Sequence, residues 1–187
     1  MADLCEMITE LRLEMKSIDG HFKKVKTLGA GAFAYVELCT VEEEKMYAKV
    51  GENVAIKRMR SITNKKQATK ESTVLKNLDF PFIVRYLDSF TDARRQFCMV
   101  MEHCDYGTLE QYLSHFSVKP FPEFGMWRLI AQFCQALAYM HGRNPPLLHN
   151  DLKPSNILCK FEQEVGVPGA IVIKIADFGM SSVLGIE

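Results

Sequence analysis

Five short segments of the chain set groups capable of proton or phosphate chemistry at defined intervals. The densest is Leu148-His149-Asn150-Asp151-Leu152-Lys153-Pro154-Ser155-Asn156-Ile157-Leu158. A carboxylate, an ammonium two residues on and a carboxamide five residues on share one loop between apolar strands. Together they supply a base, a cation and a metal-ligating amide. Asp177-Phe178-Gly179 follows the apolar run Ile171–Ile175, 21 residues past Asn156, and adds a second carboxylate. Nearer the N-terminus stands Leu28-Gly29-Ala30-Gly31-Ala32-Phe33-Ala34-Tyr35-Val36. Glycines at a strand turn let backbone N–H groups approach phosphate oxygens without a Cβ clash, although a plain hairpin turn would read the same way. Val54-Ala55-Ile56-Lys57 is a strand ending on a lysine, either solvated or held against an anion. Glu71, on a helical segment, is either an exposed carboxylate or the group that holds Lys57 toward a phosphate.

The elements that must position these groups change character along the chain. Leu4, Met7, Ile8, Leu11, Met15 and Ile18 fall on one helical face, which predicts an amphipathic helix ending near Gly20. Its apolar face packs on the rest of the protein or docks a partner. Apolar or alternating runs then predict strands over Phe22–Leu28, Tyr35–Val41, Asn53–Met59, Val84–Phe90 and Gln96–Met101, with one helix from Lys65 to Leu78 between them. After the Glu102–Gly107 connector the pattern turns helical, with a short helix over Thr108–Phe116 and a long one over Glu123–His141. Pro122 suits the start of the long helix and Gly142 its end. Leu147–Leu148, Ile157–Cys159 and Ile171–Ile175 read as short strands, and Lys160–Ala170 as an enlarged surface turn.

Composition narrows the function classes. Hydrophobic residues at 48% and charged residues at 25% are globular proportions. Lys+Arg and Asp+Glu balance at 23 each, which gives no support to nucleic-acid or membrane-surface binding. The 6 cysteines are scattered without a CxxC pair, as expected of reduced thiols in an intracellular, cytoplasmic protein, with the nucleus left open. Acidic Asp3, Glu6 and Glu10 are unlike a secretory signal.

Taken in order, GxGxx(A)xV, VAIK, a helix glutamate, HxDLKPxN and DFG resemble the eukaryotic protein kinase family, of serine/threonine type. The resemblance runs from about Phe22 to Gly179. The region from connector to long helix, with Arg143-Asn144-Pro145-Pro146, resembles NimA-related kinases. The resemblance implies an α+β, protein-kinase-like bilobal fold. Residues 1–21 would be a helical extension and 22–101 a lobe of antiparallel sheet with the family's αC helix. Residues 102–187 would be an incomplete, mainly helical second lobe. It also implies an enzyme that uses ATP and Mg²⁺ and acts on Ser/Thr hydroxyls of proteins. Leu28, Gly29, Ala30, Gly31 and Val36 would cover ATP, and Lys57, held by Glu71, would meet its α- and β-phosphates. Adenine would lie against Val36, Ala55 and Leu158 and bond the backbone of Glu102 and Cys104, with Met101 as gatekeeper. Asp151 would take or orient the hydroxyl proton, Lys153 would neutralise the moving phosphate, and Asn156 and Asp177 would hold Mg²⁺.

Two departures qualify these expectations. Asn150 stands where most of the family has arginine, so the usual grip on an activation-loop phosphate is absent, which predicts weak dependence on such a phosphate. The sequence ends at Glu187, eight residues after Gly179. The resemblance therefore implies a fragment whose long helix exposes apolar surface, aggregation-prone or weakly active. That leaves a non-catalytic ATP-binding, pseudokinase-like module as the alternative. A small-molecule kinase of the same broad fold is a third reading, disfavoured by Lys153 and by the Gly29/Gly31 turn.

Overall fold

The structure, a computed structural model, describes residues 20–60, 65–116, 120–163 and 169–184. The helix expected over Leu4–Ile18 lies outside them. The chain divides into two compact units. The first takes its described residues from the chain up to Ser72 and from Tyr86–His103, and the second from Thr73–Arg85 and from Cys104 onward. Three α-helices are described: α1 (Lys65–Lys76), α2 (Leu109–Ser114) and α3 (Glu123–His141).

The first unit holds an antiparallel sheet of β1 (Phe22–Ala30), β2 (Ala34–Val41), β3 (Asn53–Met59), β4 (Tyr86–Thr91) and β5 (Phe97–Glu102), in the order β1-β2-β3-β5-β4. Because successive strand residues face opposite ways, β3 sorts its own sequence. Val54 and Ile56 enter a core with Phe22, Cys39, Val41, Phe90, Cys98 and Val100. Each fully buried side chain of this size is worth about 1.5–3 kcal/mol. Ala55, Lys57 and Met59 take the other face.

Arg58 shares the core face, which is an expensive place for a cation. It is only 8% exposed, beside Glu37 at 5% and Asp92 at 2%. Its Nε donates to Glu37 Oε2 at 2.9 Å and its Nη1 to Asp92 Oδ2 at 3.2 Å, while its guanidinium lies 5.9 Å from the centre of the Phe90 ring. Asp92 Oδ1 also accepts from the backbone of Arg94 and Gln96, which ties the β4–β5 turn to β3. Glu37 pairs further with Lys24 on β1. Beyond Phe22, β1 is exposed along its length; it forms one edge of the sheet, carries Lys23, Lys24 and Lys26, and is interrupted by two register shifts.

The second unit is organised on α3. Its buried residues Leu129, Gln132, Ala136 and Met140 form one stripe at helical spacing. The hairpin of β7 (Ile157–Glu162) and β8 (Ala170–Ile175) packs there, and Ile173 N–H donates to Gln132 Oε1 at 2.8 Å. Without that donor the helix would bury the carboxamide oxygen of Gln132 unpaired. Phe124, Met126, Trp127 and Ile130 of the same helix are exposed. The two-residue strands β6 (Leu147–Leu148) and β9 (Ser182–Val183) pair with each other. Gly107, at φ +69°, turns the connector into α2, whose start Thr108 and Gln111 close as a reciprocal capping box.

The long helix, β3 and β6 span the residues expected. The enlarged turn over Lys160–Ala170 does not: Lys160, Phe161 and Glu162 continue β7 and pair with Val172, Ile171 and Ala170. Cross-strand charge explains the difference, since Lys174 meets Glu162 at 2.9 Å and lets a polar stretch remain in a ladder. Strand β9 is not visible in the sequence, because Ser182-Val183 does not stand out as an apolar run as Leu147-Leu148 does, and its partner β6 is distant along the chain.

Arg58→Leu should lower the urea midpoint of the purified chain by the equivalent of about 3 kcal/mol, the scale for breaking a buried ion pair and stranding its partner charges. An unchanged midpoint would show that Glu37 and Asp92 do not need the guanidinium.

Candidate active site

In the first unit the sheet register places the expected nucleotide-facing residues in adjacent rows on one face. Gly29 pairs with Val36, Val36 with Lys57, and Lys57 with Met99. In the next row Leu38 pairs with Ala55 and Ala55 with Met101. Residues directly opposite in antiparallel strands share a face, so Gly29, Val36, Ala55, Lys57 and Met101 lie together. Glu102 ends β5, Leu28 is exposed on β1, and Ala30 pairs with Tyr35 on the opposite face.

Lys57 Nζ donates to both carboxylate oxygens of Glu71, at 2.7 and 2.9 Å. Their side chains are 15% and 5% exposed. The solvated-lysine and exposed-carboxylate readings of these positions therefore fail. A buried ammonium needs such a partner, and a two-point contact also fixes the direction of a flexible side chain. Gly31 N–H donates to Ala34 O at 2.8 Å and closes the β1–β2 turn. Neither Gly29 nor Gly31 has a positive φ. A Cβ on Gly29 would meet nothing within 4 Å, and one on Gly31 would touch Ala34 O at an ordinary 3.7 Å. The local fold thus makes no demand for glycine at either position.

The second unit holds Asp151, Lys153, Asn156, Asp177, Cys104 and Leu158. Buried His149 anchors their loop: its Nε2 bonds Ala176 O at 2.9 Å, and its Nδ1 meets Asp151 N–H at 3.3 Å. One neutral tautomer, protonated on Nε2, satisfies both contacts. The ring lies 4.8 Å from that of Phe178, centre to centre. Ala176 N–H donates to Asn156 O at 2.9 Å, so the loop and the residue before Asp177 are held on both sides.

Asp151 Oδ2 accepts Lys153 Nζ at 2.8 Å and Asn156 Nδ2 at 2.9 Å. The same Nδ2 donates to Asp151 O at 2.9 Å. The Lys153 hydrogen bond, aided by Asn156, holds the Asp151 carboxyl below the ordinary carboxylate range, and Asp151 in turn raises Lys153. Asp151 is therefore ionised at neutral pH. Both side-chain bonds fall on Oδ2, which leaves Oδ1 as the oxygen to accept a proton. Asp177 sits in the left-handed region at φ +63° and begins the 3-10 turn Phe178–Met180. Cys104 is buried and its carbonyl accepts Gly107 N–H at 3.4 Å, and Leu158 bridges to Thr108.

Asn150 also has a left-handed backbone, at φ +66°, and its Nδ2 donates to Met180 O and to Ser182 Oγ. In the sequence alone position 150 stands out only as a missing arginine. The available signal was the tolerance of asparagine for that backbone region.

A family model described as "Protein kinase domain" matches residues 22–187. Serine/threonine-protein kinase nekl-2 of Caenorhabditis elegans is 32% identical over 174 residues, covering 88% of this chain and 45% of its own length. Human serine/threonine-protein kinase tousled-like 2 is 32% identical over 171 residues, covering 90% of this chain and 21% of its own. Human tousled-like 1 is 34% identical over 160 residues, covering 84% and 20%. The chain thus spans less than half the length of these relatives.

Lys153→Met should raise the titration midpoint of Asp151, because the hydrogen bond that most favours its carboxylate is removed. Carboxyl-carbon NMR titration of the purified chain reads this directly, and an unmoved midpoint would exclude Lys153 as the cause.

Proposed function

Because this chain belongs to the protein kinase domain family, we propose that it transfers the γ-phosphate of ATP to Ser/Thr hydroxyls of proteins. The observation that carries the reading is the Asp151 carboxylate, ionised, with Oδ2 occupied by Lys153 and Asn156 and Oδ1 left to act. The acceptor hydroxyl oxygen bonds to the γ-phosphorus as the bond to the β–γ bridging oxygen breaks. ADP leaves with that electron pair, and the hydroxyl proton passes to Asp151 Oδ1. Positioning and charge neutralisation supply most of the rate in such a transfer.

Lys57, aimed by Glu71, receives the α- and β-phosphates, and Lys153 receives the transferring group. Gly29 and Gly31 are glycine where the turn itself does not ask for it, which fits close approach of phosphate to backbone N–H. Leu28, Ala30 and Val36 cover the nucleotide from the same strands. Adenine takes Val36, Ala55 and Leu158 as its apolar contacts and the backbone of Glu102 and Cys104 as its polar ones, with Met101 limiting the space behind it.

The donor set also fits Mg²⁺. Asn156 spends its Nδ2 on Asp151 and keeps a carboxamide oxygen, and Asp177 supplies a carboxylate. Among the described residues no three His, Cys, Asp or Glu side chains could hold a metal. Mg²⁺ characteristically uses one or two protein oxygens together with substrate phosphates. When bound it neutralises phosphate charge.

Asn150 in place of arginine supports turnover that does not require a phosphate on the activation loop. ATP as co-substrate is consistent with a cytoplasmic protein, and among the described residues no helix is long and apolar enough to cross a membrane.

With radiolabelled ATP and a Ser/Thr-containing acceptor protein, Asp151→Asn should cut transfer by about 10²–10⁴-fold while nucleotide binding persists. ATP binding without transfer by the unaltered chain would overturn the catalytic reading in favour of an ATP-binding module. Phosphatase treatment should leave the rate unchanged, and loss of activity on treatment would remove the role given to Asn150.

A further inference from the structure

The carboxamide of Asn150 reaches across the fold in a way that an absent arginine does not describe. Its Nδ2 donates to Met180 O at 3.1 Å and to Ser182 Oγ at 2.8 Å, bonds that span 30 and 32 residues of sequence. Both acceptors lie just beyond Asp177-Phe178-Gly179, at the entry to β9. Among the described residues β9 also has a short ladder, in which Leu147 pairs with Val183, Leu148 with Ser182, and Leu184 N–H donates to Pro146 O. A ladder of two residues is marginal by itself.

We propose that Asn150 is a positioning residue, a neutral latch that fixes the segment after Gly179 against the loop carrying Asp151. Three observations support this. The residue adopts a left-handed backbone, which asparagine tolerates better than most side chains and which aims its amide at β9. One NH₂ group uses both of its protons, on a carbonyl and on a hydroxyl, so the latch needs no charge on either side. Asn150 is joined covalently to Asp151, so whatever holds its backbone in place also holds the base. A latch of uncharged groups works without a phosphate and is little affected by salt. Only its consequence for turnover rests on the kinase reading.

The test uses Asn150→Gly in the full chain, because glycine accepts the left-handed backbone without strain and removes the side chain that carries the amide. Hydrogen exchange at the Leu184 amide should accelerate by about tenfold, the scale of losing one net hydrogen bond, with amides of β2, β3 and β5 unaffected. Ser182→Ala should accelerate exchange less, and should add nothing in the Asn150→Gly background beyond the single variant. In the transfer assay Asn150→Gly should lower kcat and leave KM for ATP unchanged. Unchanged exchange in Asn150→Gly, or exchange in the unaltered chain that phosphatase treatment accelerates, would overturn the latch. Faster exchange in the variant, with no transfer by the unaltered chain, would support the latch and overturn the kinase reading alone.

Discussion

A strand that carries two adjacent cations into a sheet interior must find an anion on each of its faces. Strand β3 does this with Lys57 and Arg58, and much of the first unit follows from the requirement. On one side Glu71 meets Lys57 at two oxygens. On the other, Glu37 and Asp92 enclose Arg58. Because strand periodicity is two, a slip of one residue would put Lys57 among Val100 and Phe90 and Arg58 against Glu71. The three ion pairs therefore help fix the register of β3 alongside its apolar residues, and with it the row that contains Gly29 and Val36.

The second unit meets a different demand, which is to present an ionised carboxylate without letting its loop drift. Aspartate alone would be free to rotate. Asn156 bonds both its backbone oxygen and its side chain, Lys153 bonds the same carboxylate oxygen, and His149 fixes the loop to Ala176. The left-handed backbones at Asn150 and Asp177 are the local strain that this geometry requires.

How far the sequence disclosed all this depended on whether the signal was local. The long helix was legible because Trp127, Ile130, Cys134, Leu137 and His141 recur at helical steps, although the face it buries is the one of Leu129, Gln132, Ala136 and Met140, with Trp127, Ile130 and Cys134 exposed; β3 was legible because apolar residues frame its lysine. The pairing of Lys57 with Glu71 was open at the level of residues, since either group could have been solvated; only the register and the placement of α1 decide it. Nothing local marks Arg58, because a cation after an apolar strand looks like a surface residue and its partners lie 21 and 34 residues away. The β7–β8 hairpin runs longer than its sequence suggests for a related reason, its polar half being compensated across the ladder by Lys174 as well as locally by Lys160.

Strand β1 bears on how copies of this chain behave toward one another. Equal numbers of cations and anions leave no net charge to keep molecules apart. An edge strand with unpaired backbone groups would then invite another strand to extend the sheet. Three ammonium groups and two register irregularities along that edge make it a poor template. Protection from strand-to-strand association thus depends on where a few lysines lie rather than on overall charge, and it weakens as ionic strength rises.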